Sequence, residues 1–249
     1  MQGDGERPVN EVYEFEWVEV ADFDDMSSYA AELFERQLLR KPDSVLGLAT
    51  GASPIGFYEK LVERHAQGTF SFAQTWTFNL DEYIGVEPSH PTSFHNYMKE
   101  HLFEKVNLPV TRRHLPDGMA DDLNEACLRY EMMIRTSGGI DMQLLGIGVN
   151  GHIGFNEPGT SFHSRTHIVD LAESTRKVNA KYFPSKEAVP RQAITMGIQT
   201  ILEAKQIVLL ALGEQKVEAV EQLKRGVISE DFPASCLHRH PHVTVFYGK

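Results

Sequence analysis

Short apolar runs alternate with longer amphipathic segments along most of this chain, and the spacing of apolar positions changes with each. "SVLGLAT" (44–50) predicts a strand, and "SPIGFYEKLVERHAQG" (53–68) predicts a helix with proline in its first turn. "TWTFNLDEY" (75–83) predicts a strand that ends in acids. Helical spacing recurs in "PTSFHNYMKEHLFEKV" (91–106) and "ADDLNEACLRYEMMIRTSGG" (120–139). "IDMQLLGIGV" (140–149) is almost continuously apolar, as expected of a strand buried on both faces of a parallel sheet. Beyond it the pattern predicts a helix over 191–204, a strand over 205–212, a helix over 214–226 ending at Gly226, and a final strand over 242–248. Strands alternating with helices predict a doubly wound α/β sheet around one core. There is no internal repeat, low-complexity tract or linker.

Composition narrows the classes. At 249 residues, 41% apolar and 10% aromatic, the chain can bury a substantial core as one unit. Residues 1–10 read as a flexible N-terminal extension and 11–249 as a single α/β domain. A net charge of -11 argues against a nucleic-acid partner, because a phosphate backbone demands a basic surface. No apolar run reaches membrane-spanning length, and the acidic N-terminus is wrong for a signal peptide. Cys127 and Cys236 fit no metal spacing or disulfide framework. A soluble cytoplasmic protein is the expected setting.

Open α/β sheets bind ligands beyond the carboxyl ends of their strands, and those ends here carry the polar residues. Thr50–Gly51–Ala52–Ser53–Pro54 links a strand to a helix N-terminus, where backbone N–H groups and the helix dipole favour an anion. It lacks both a dinucleotide fingerprint and a Walker loop, and a plain Ser53 N-cap is the alternative. In "NLDEYIG" (79–85), Asp81 and Glu82 stand at a strand end. Either a general base at a cleft or an acidic cap on the next helix accounts for them. "LLGIGVNGHIGFNEPG" (144–159) places Asn150, His152 and Glu157 within eight residues. A histidine that passes protons needs its second ring nitrogen fixed by an acceptor, which a nearby carboxylate can supply. Lys216, early in the helix after Gly213, is a candidate anion contact. "CLHRHPH" (236–242) alternates three histidines but lacks the carboxylate or second cluster that a metal site needs.

"TGASP", "NLDEYIG", "GIGVNGHIGFNEPG", "SRT" (164–166), "LGEQK" and "SCLHRHP" follow one another as in the glucosamine-6-phosphate deaminases, and the chain resembles that family from about residue 12 to its end. The resemblance implies a Rossmann-like fold, no metal and no organic cofactor. It implies conversion of glucosamine 6-phosphate and water to fructose 6-phosphate and ammonia. Asp81 would be the base that moves a proton between carbons 2 and 1 of the open-chain sugar. His152 would open the pyranose ring, with Glu157 and Asn150 orienting it. The substrate phosphate would sit on Thr50, Gly51, Ala52 and Ser53, with Lys216 and Lys181 as cations. Lys181 stands where arginine is common, and it supplies a point charge without a bidentate fork.

Two departures from the family shape further expectations. Many members carry aspartate where Asn150 stands, so Asn150 is expected to act as a neutral orienter. Allosteric members bind an acetylated sugar phosphate through basic residues shortly after "SRT". His167, Ile168 and Val169 stand there in this chain, so no such activation is expected. Residues 160–187 are expected to form a lid, since polar connectors over a pocket often gate it. The expected partner is a small sugar phosphate, bound by a monomer or small homo-oligomer without nucleic acid or membrane. Two rivals stand beside this reading: a 6-phosphogluconolactonase-type hydrolase with a similar glycine–histidine segment, and a non-catalytic sugar-phosphate sensor. "FNEPG" and "LDEY" favour the deaminase, and the acidic charge with no DNA-reading element disfavours the sensor.

Overall fold

In the computed structural model, which describes residues 12–185 and 187–249, the elements follow the expected alternation. The expected extension, 1–10, lies outside the described residues. The first half comprises β1 (Glu16–Glu19), α1 (Phe23–Arg40), β2 (Val45–Leu48), α2 (Ile55–Ala66), β3 (Trp76–Asn79) and β4 (Asp81–Tyr83). Next come α3 (Phe94–Met98), which continues into one π-helical turn, then β5 (Arg113–His114), α4 (Leu123–Thr136) and β6 (Met142–Gly146). The last part holds β7 (His167–Asp170), α5 (Glu173–Asn179), β8 (Gln192–Thr195) and α6 (Ile198–Leu202). It ends with β9 (Ile207–Leu212), α7 (Val217–Lys224) and β10 (Val243–Gly248).

Seven strands form one parallel sheet in the order β1-β10-β9-β6-β2-β3-β5. From β2 the chain builds outward through β3 and β5, then returns to lay β6, β9 and β10 on the other side. Right-handed crossovers that reverse direction put helices on both faces, and they leave a crevice where the direction changes. That crevice lies between the carboxyl ends of β2 and β6, which pair through Leu46↔Met142 and Gly47↔Gln143. The core runs through the central strands, with Leu46, Leu48, Leu144, Leu145, Val208 and Leu209 all buried. This is the doubly wound, Rossmann-like α/β architecture expected from the pattern.

Two expected elements are corrected. The single strand over 75–83 is two strands in different sheets. Leu80 N–H still donates to Leu48 O at 3.0 Å, but Asp81 pairs antiparallel with Thr195. The chain changes sheets at Leu80, and alternation of apolar residues carries no mark of such a change. The helix over 191–204 is instead β8 followed by α6. Gln192–Thr195 is zipped between β4 and β7 in a three-stranded antiparallel sheet, and Gly197 precedes the helix. Helix α1, with its Asp22 cap accepting from Asp25 N–H at 2.9 Å, is an element that the pattern reading passed over. Within the segment 160–187, expected as a lid, β7 belongs to the small sheet and α5 follows it.

Candidate active site

The glycines after β6 let a polar turn fold tightly at the crevice. Gly151 has φ +80°, which a side chain would strain. A Cβ on Gly148 would stand 2.2 Å from the His152 ring, so this glycine makes room for the imidazole. The resulting loop carries a directed chain of hydrogen bonds. The Glu157 carboxylate only accepts, so the Asn150 amide turns its Nδ2 toward it, at 2.7 Å from Oε2. Asn150 Oδ1 then faces His152 and accepts from its Nδ1–H at 2.7 Å. Nδ1 therefore holds the proton and Nε2 holds the lone pair. Burial holds the imidazole below its usual range. Glu157 opposes that shift, and the nearby Lys216 ammonium adds to it.

Asp81 is buried, 6% exposed, at the start of β4. Burial pushes its carboxyl up to about 8, and the neighbouring Glu82 charge adds to the rise. No hydrogen bond to Asp81's carboxyl offsets this among the described residues. The buried tyrosines Tyr58 and Tyr130, close enough to feel its charge, donate instead to Ala49 O and Asn79 O. A Cβ on Gly154 would lie 3.5 Å from Asp81 Oδ2, which sets Asp81 against the His152 loop. Glu82 faces the other way: its oxygens accept from the N–H groups of Tyr83, Phe94 and His95 at 2.9–3.0 Å. The capping contacts of this acidic pair thus belong to Glu82. One carboxyl is desolvated beside the loop, and the other caps the start of α3.

The turn after β2 holds Thr50, Gly51, Ala52 and Ser53, with Gly51 at φ +97°. Pro54 stands at the helix N-cap and no side chain caps α2, so Ser53 does not serve as the plain cap that was its alternative. Ile55 N–H turns back to Ala52 O at 3.5 Å, and a helix N-terminus without a side-chain cap favours an anion. Lys216 is half-buried in a 3-10 turn after Gly213, and burial lowers its ammonium from the usual lysine range. Lys181 is exposed in the 3-10 turn after α5, with its Nζ 4.8 Å from the centre of the Tyr182 ring. Tyr97 joins this region to the turn: its hydroxyl donates to Gly51 O at 2.7 Å, and Tyr182 lies near enough to raise its phenol.

Sequence reasoning missed the contribution of α5. Thr175 Oγ1 donates to Glu157 Oε1 at 2.5 Å, and Asn179 Nδ2 donates to the Tyr83 hydroxyl at 2.9 Å. Residues four apart on one helix share a face, so the i, i+4 spacing was the available signal. The alternating histidines have structural duties: His238 Nε2 bonds Leu223 O at 2.8 Å and His240 Nε2 bonds Ala204 O at 2.7 Å. No group of three or more metal-binding side chains converges among the described residues.

Comparison with known proteins gives a consistent picture. The model of the glucosamine-6-phosphate isomerases/6-phosphogluconolactonase family matches residues 21–246. The glucosamine-6-phosphate deaminase of Lysinibacillus sphaericus is 56% identical over 232 residues, 93% of this chain and 98% of that protein. Glucosamine-6-phosphate deaminase 1 of Bacillus subtilis is 51% identical, over 93% of this chain and 96% of its own. A solved structure of a monomeric glucosamine-6-phosphate deaminase superposes with a TM-score of 0.93 at 50% identity, covering 94% of this chain and 98% of that one. A 6-phosphogluconolactonase from Thermotoga maritima superposes with a TM-score of 0.74 at 23% identity, over 95% of this chain and 100% of that one, a likeness of fold alone. This chain belongs to the glucosamine-6-phosphate isomerase/6-phosphogluconolactonase family.

Proposed function

We propose that the protein is a glucosamine-6-phosphate deaminase, which turns glucosamine 6-phosphate and water into fructose 6-phosphate and ammonia. The relatives at 51–56% identity carry that name over nearly their whole length. The observation that carries the mechanism is the chain from Glu157 through Asn150 to His152, which leaves Nε2 with its lone pair across the loop from Asp81.

The steps follow from those groups. His152 Nε2 takes the proton of the anomeric hydroxyl and returns one to the ring oxygen, which opens the pyranose to the 2-amino aldehyde. The Asp81 carboxylate removes the proton on carbon 2, the 2-ammonium group gives up a proton as O1 gains one, and a 1-hydroxy-2-amino alkene forms. Asp81, now protonated, delivers its proton to carbon 1 and leaves a ketimine at carbon 2. Water adds to that carbon, ammonia departs and the ketone remains. A carboxyl raised to about 8 is matched to both halves of the transfer near neutral pH. The phosphate would be anchored by the 50–53 turn, Lys216 and Lys181. A dianion beside Lys216 would favour the charge that burial disfavours.

We read residues 160–187 as the lid over this site and place the enzyme in the cytoplasm. It would act as a monomer or small homo-oligomer, without activation by an acetylated sugar phosphate. No helix among the described residues is long and apolar enough to cross a membrane. Ammonia release from glucosamine 6-phosphate, with stoichiometric fructose 6-phosphate, tests the reading. Hydrolysis of 6-phosphogluconolactone without ammonia release would reverse it in favour of the lactonase. Binding without turnover of either compound would favour a sensor.

A further inference from the structure

At the starting ends of the strands, opposite the crevice, one buried carboxylate holds two ammonium groups. Asp141, just before β6, is 4% exposed. Its Oδ2 accepts from Lys41 Nζ at 2.6 Å and from Val45 N–H at 2.8 Å, and its Oδ1 accepts from Lys205 Nζ at 2.7 Å. Lys41 follows α1, Lys205 precedes β9 and His242 precedes β10, so adjacent elements deliver these side chains to one place. With Gln37, Arg40 and Gln206 they line a cavity of about 470 Å³. Pockets of about 300–1,000 Å³ take small molecules.

The charge exceeds what the carboxylate needs. One cation neutralises the Asp141 carboxylate, yet Lys41, Lys205 and Arg40 all face the cavity. Three cations against one carboxylate leave a local charge of about +2, in a chain of net charge -11. Each ammonium has three donors and uses one on Asp141, and the Arg40 guanidinium donates to Gln37 Oε1. Most of their donors therefore stay available on one wall, already positioned. Arg40 and Lys41 lie at the carboxyl end of α1, where the helix dipole is negative. Attraction for an anion must therefore come from the side chains, and substitution can remove it.

We propose that this cavity is a second anion site, which takes a small phosphate-bearing metabolite with its dianion on Lys41, Lys205 and Arg40. The inference is independent of the catalytic reading, because none of these residues borders the crevice. Titration calorimetry with inorganic pyrophosphate in low-salt buffer tests it, comparing wild type with Arg40→Glu/Lys205→Glu. Both substituted side chains are exposed and Lys41 stays on Asp141, so the fold should survive. Its Tm should be lower, because Lys205→Glu replaces the cation on Asp141 Oδ1 with a like charge. Arg40→Gln/Lys205→Gln, which keeps neutral donors there, should lose the same equivalent of pyrophosphate with a smaller fall in Tm. Wild type should bind one equivalent more than either double variant, with affinity falling about tenfold when salt is raised from low to physiological levels. Ammonia release should be the same in wild type and variants. Identical pyrophosphate isotherms for wild type and variants overturn the proposal.

Discussion

Thr175 on α5 donates its hydroxyl to one oxygen of Glu157 while Asn150 donates to the other, at 2.5 and 2.7 Å. The Glu157 carboxylate is thus held between the turn after β6 and a helix of the segment read as a lid. A displaced α5 would free Glu157, and with it the constraint on the Asn150 amide and the His152 tautomer. Thr175 is a positioning residue in this scheme. Thr175→Val should lower kcat about tenfold with KM within about threefold, the loss of one hydrogen bond to a charged group. Thr175→Ser should restore the rate. A valine variant with wild-type kcat and an unshifted pH profile would disconnect α5 from the relay.

Asn150 separates two groups that would otherwise compete for protons. In Asn150→Asp, a second carboxylate would stand where the amide now donates to Glu157 at 2.7 Å. Two carboxylates that close share a proton at low pH and together favour a charged imidazole at higher pH. The His152 imidazole should titrate about one pH unit higher, followed by NMR of its ring protons, with activity above neutral within tenfold of wild type. An imidazole that titrates as in wild type would detach position 150 from the His152 charge.

Asp81 joins catalysis to a stability cost. Its folded carboxyl titrates near 8 against an ordinary value of 3.8, so the folded state binds its proton more tightly than the unfolded state. Stability is therefore greatest below about pH 4 for this group and falls as pH rises toward 8. Asp81→Asn should abolish ammonia release, by about a thousandfold or more. It should also raise stability at pH 8.5 by about 1–3 kcal/mol, with little change at pH 4. Urea titrations at the two pH values read the difference, and equal changes at both would place the Asp81 carboxyl in an ordinary environment.

What the sequence discloses depends on how local the determinant is. The central strands β2, β6, β9 and β10 are legible because burial on both faces makes their runs continuously apolar, as in Ile207–Leu212. Asn150, His152 and Glu157 are legible as a group because one turn carries all three. The break at Leu80 is not, because Asp81 changes sheets only through its pairing with Thr195, 114 positions away. The β8 segment has the look of a helix in the sequence because Ala193, Ile194, Met196, Ile198 and Ile201 are all buried, which leaves neither period dominant. Thr175 stayed hidden since its partner lies 18 positions back, across β7.

Glu82 tests whether the two acids at 81 and 82 are electrically joined. Its carboxylate accepts from the Tyr83, Phe94 and His95 N–H groups and from His95 Nδ1 at 3.2 Å, so it caps α3 from another strand. Its charge also pushes Asp81 up. Glu82→Gln keeps one acceptor oxygen but turns an amide N–H₂ toward backbone donors, which should destabilise the fold by about 2–3 kcal/mol. The same change removes a negative charge beside Asp81, so the carboxyl should ionise at lower pH. The rising limb of kcat/KM should then shift down by about half a unit to one unit, while Tm falls. The two readouts have different causes, cap and charge, and the pH profile isolates the second. A lower Tm with an unmoved limb would mean that some group other than Asp81 controls the rise in rate.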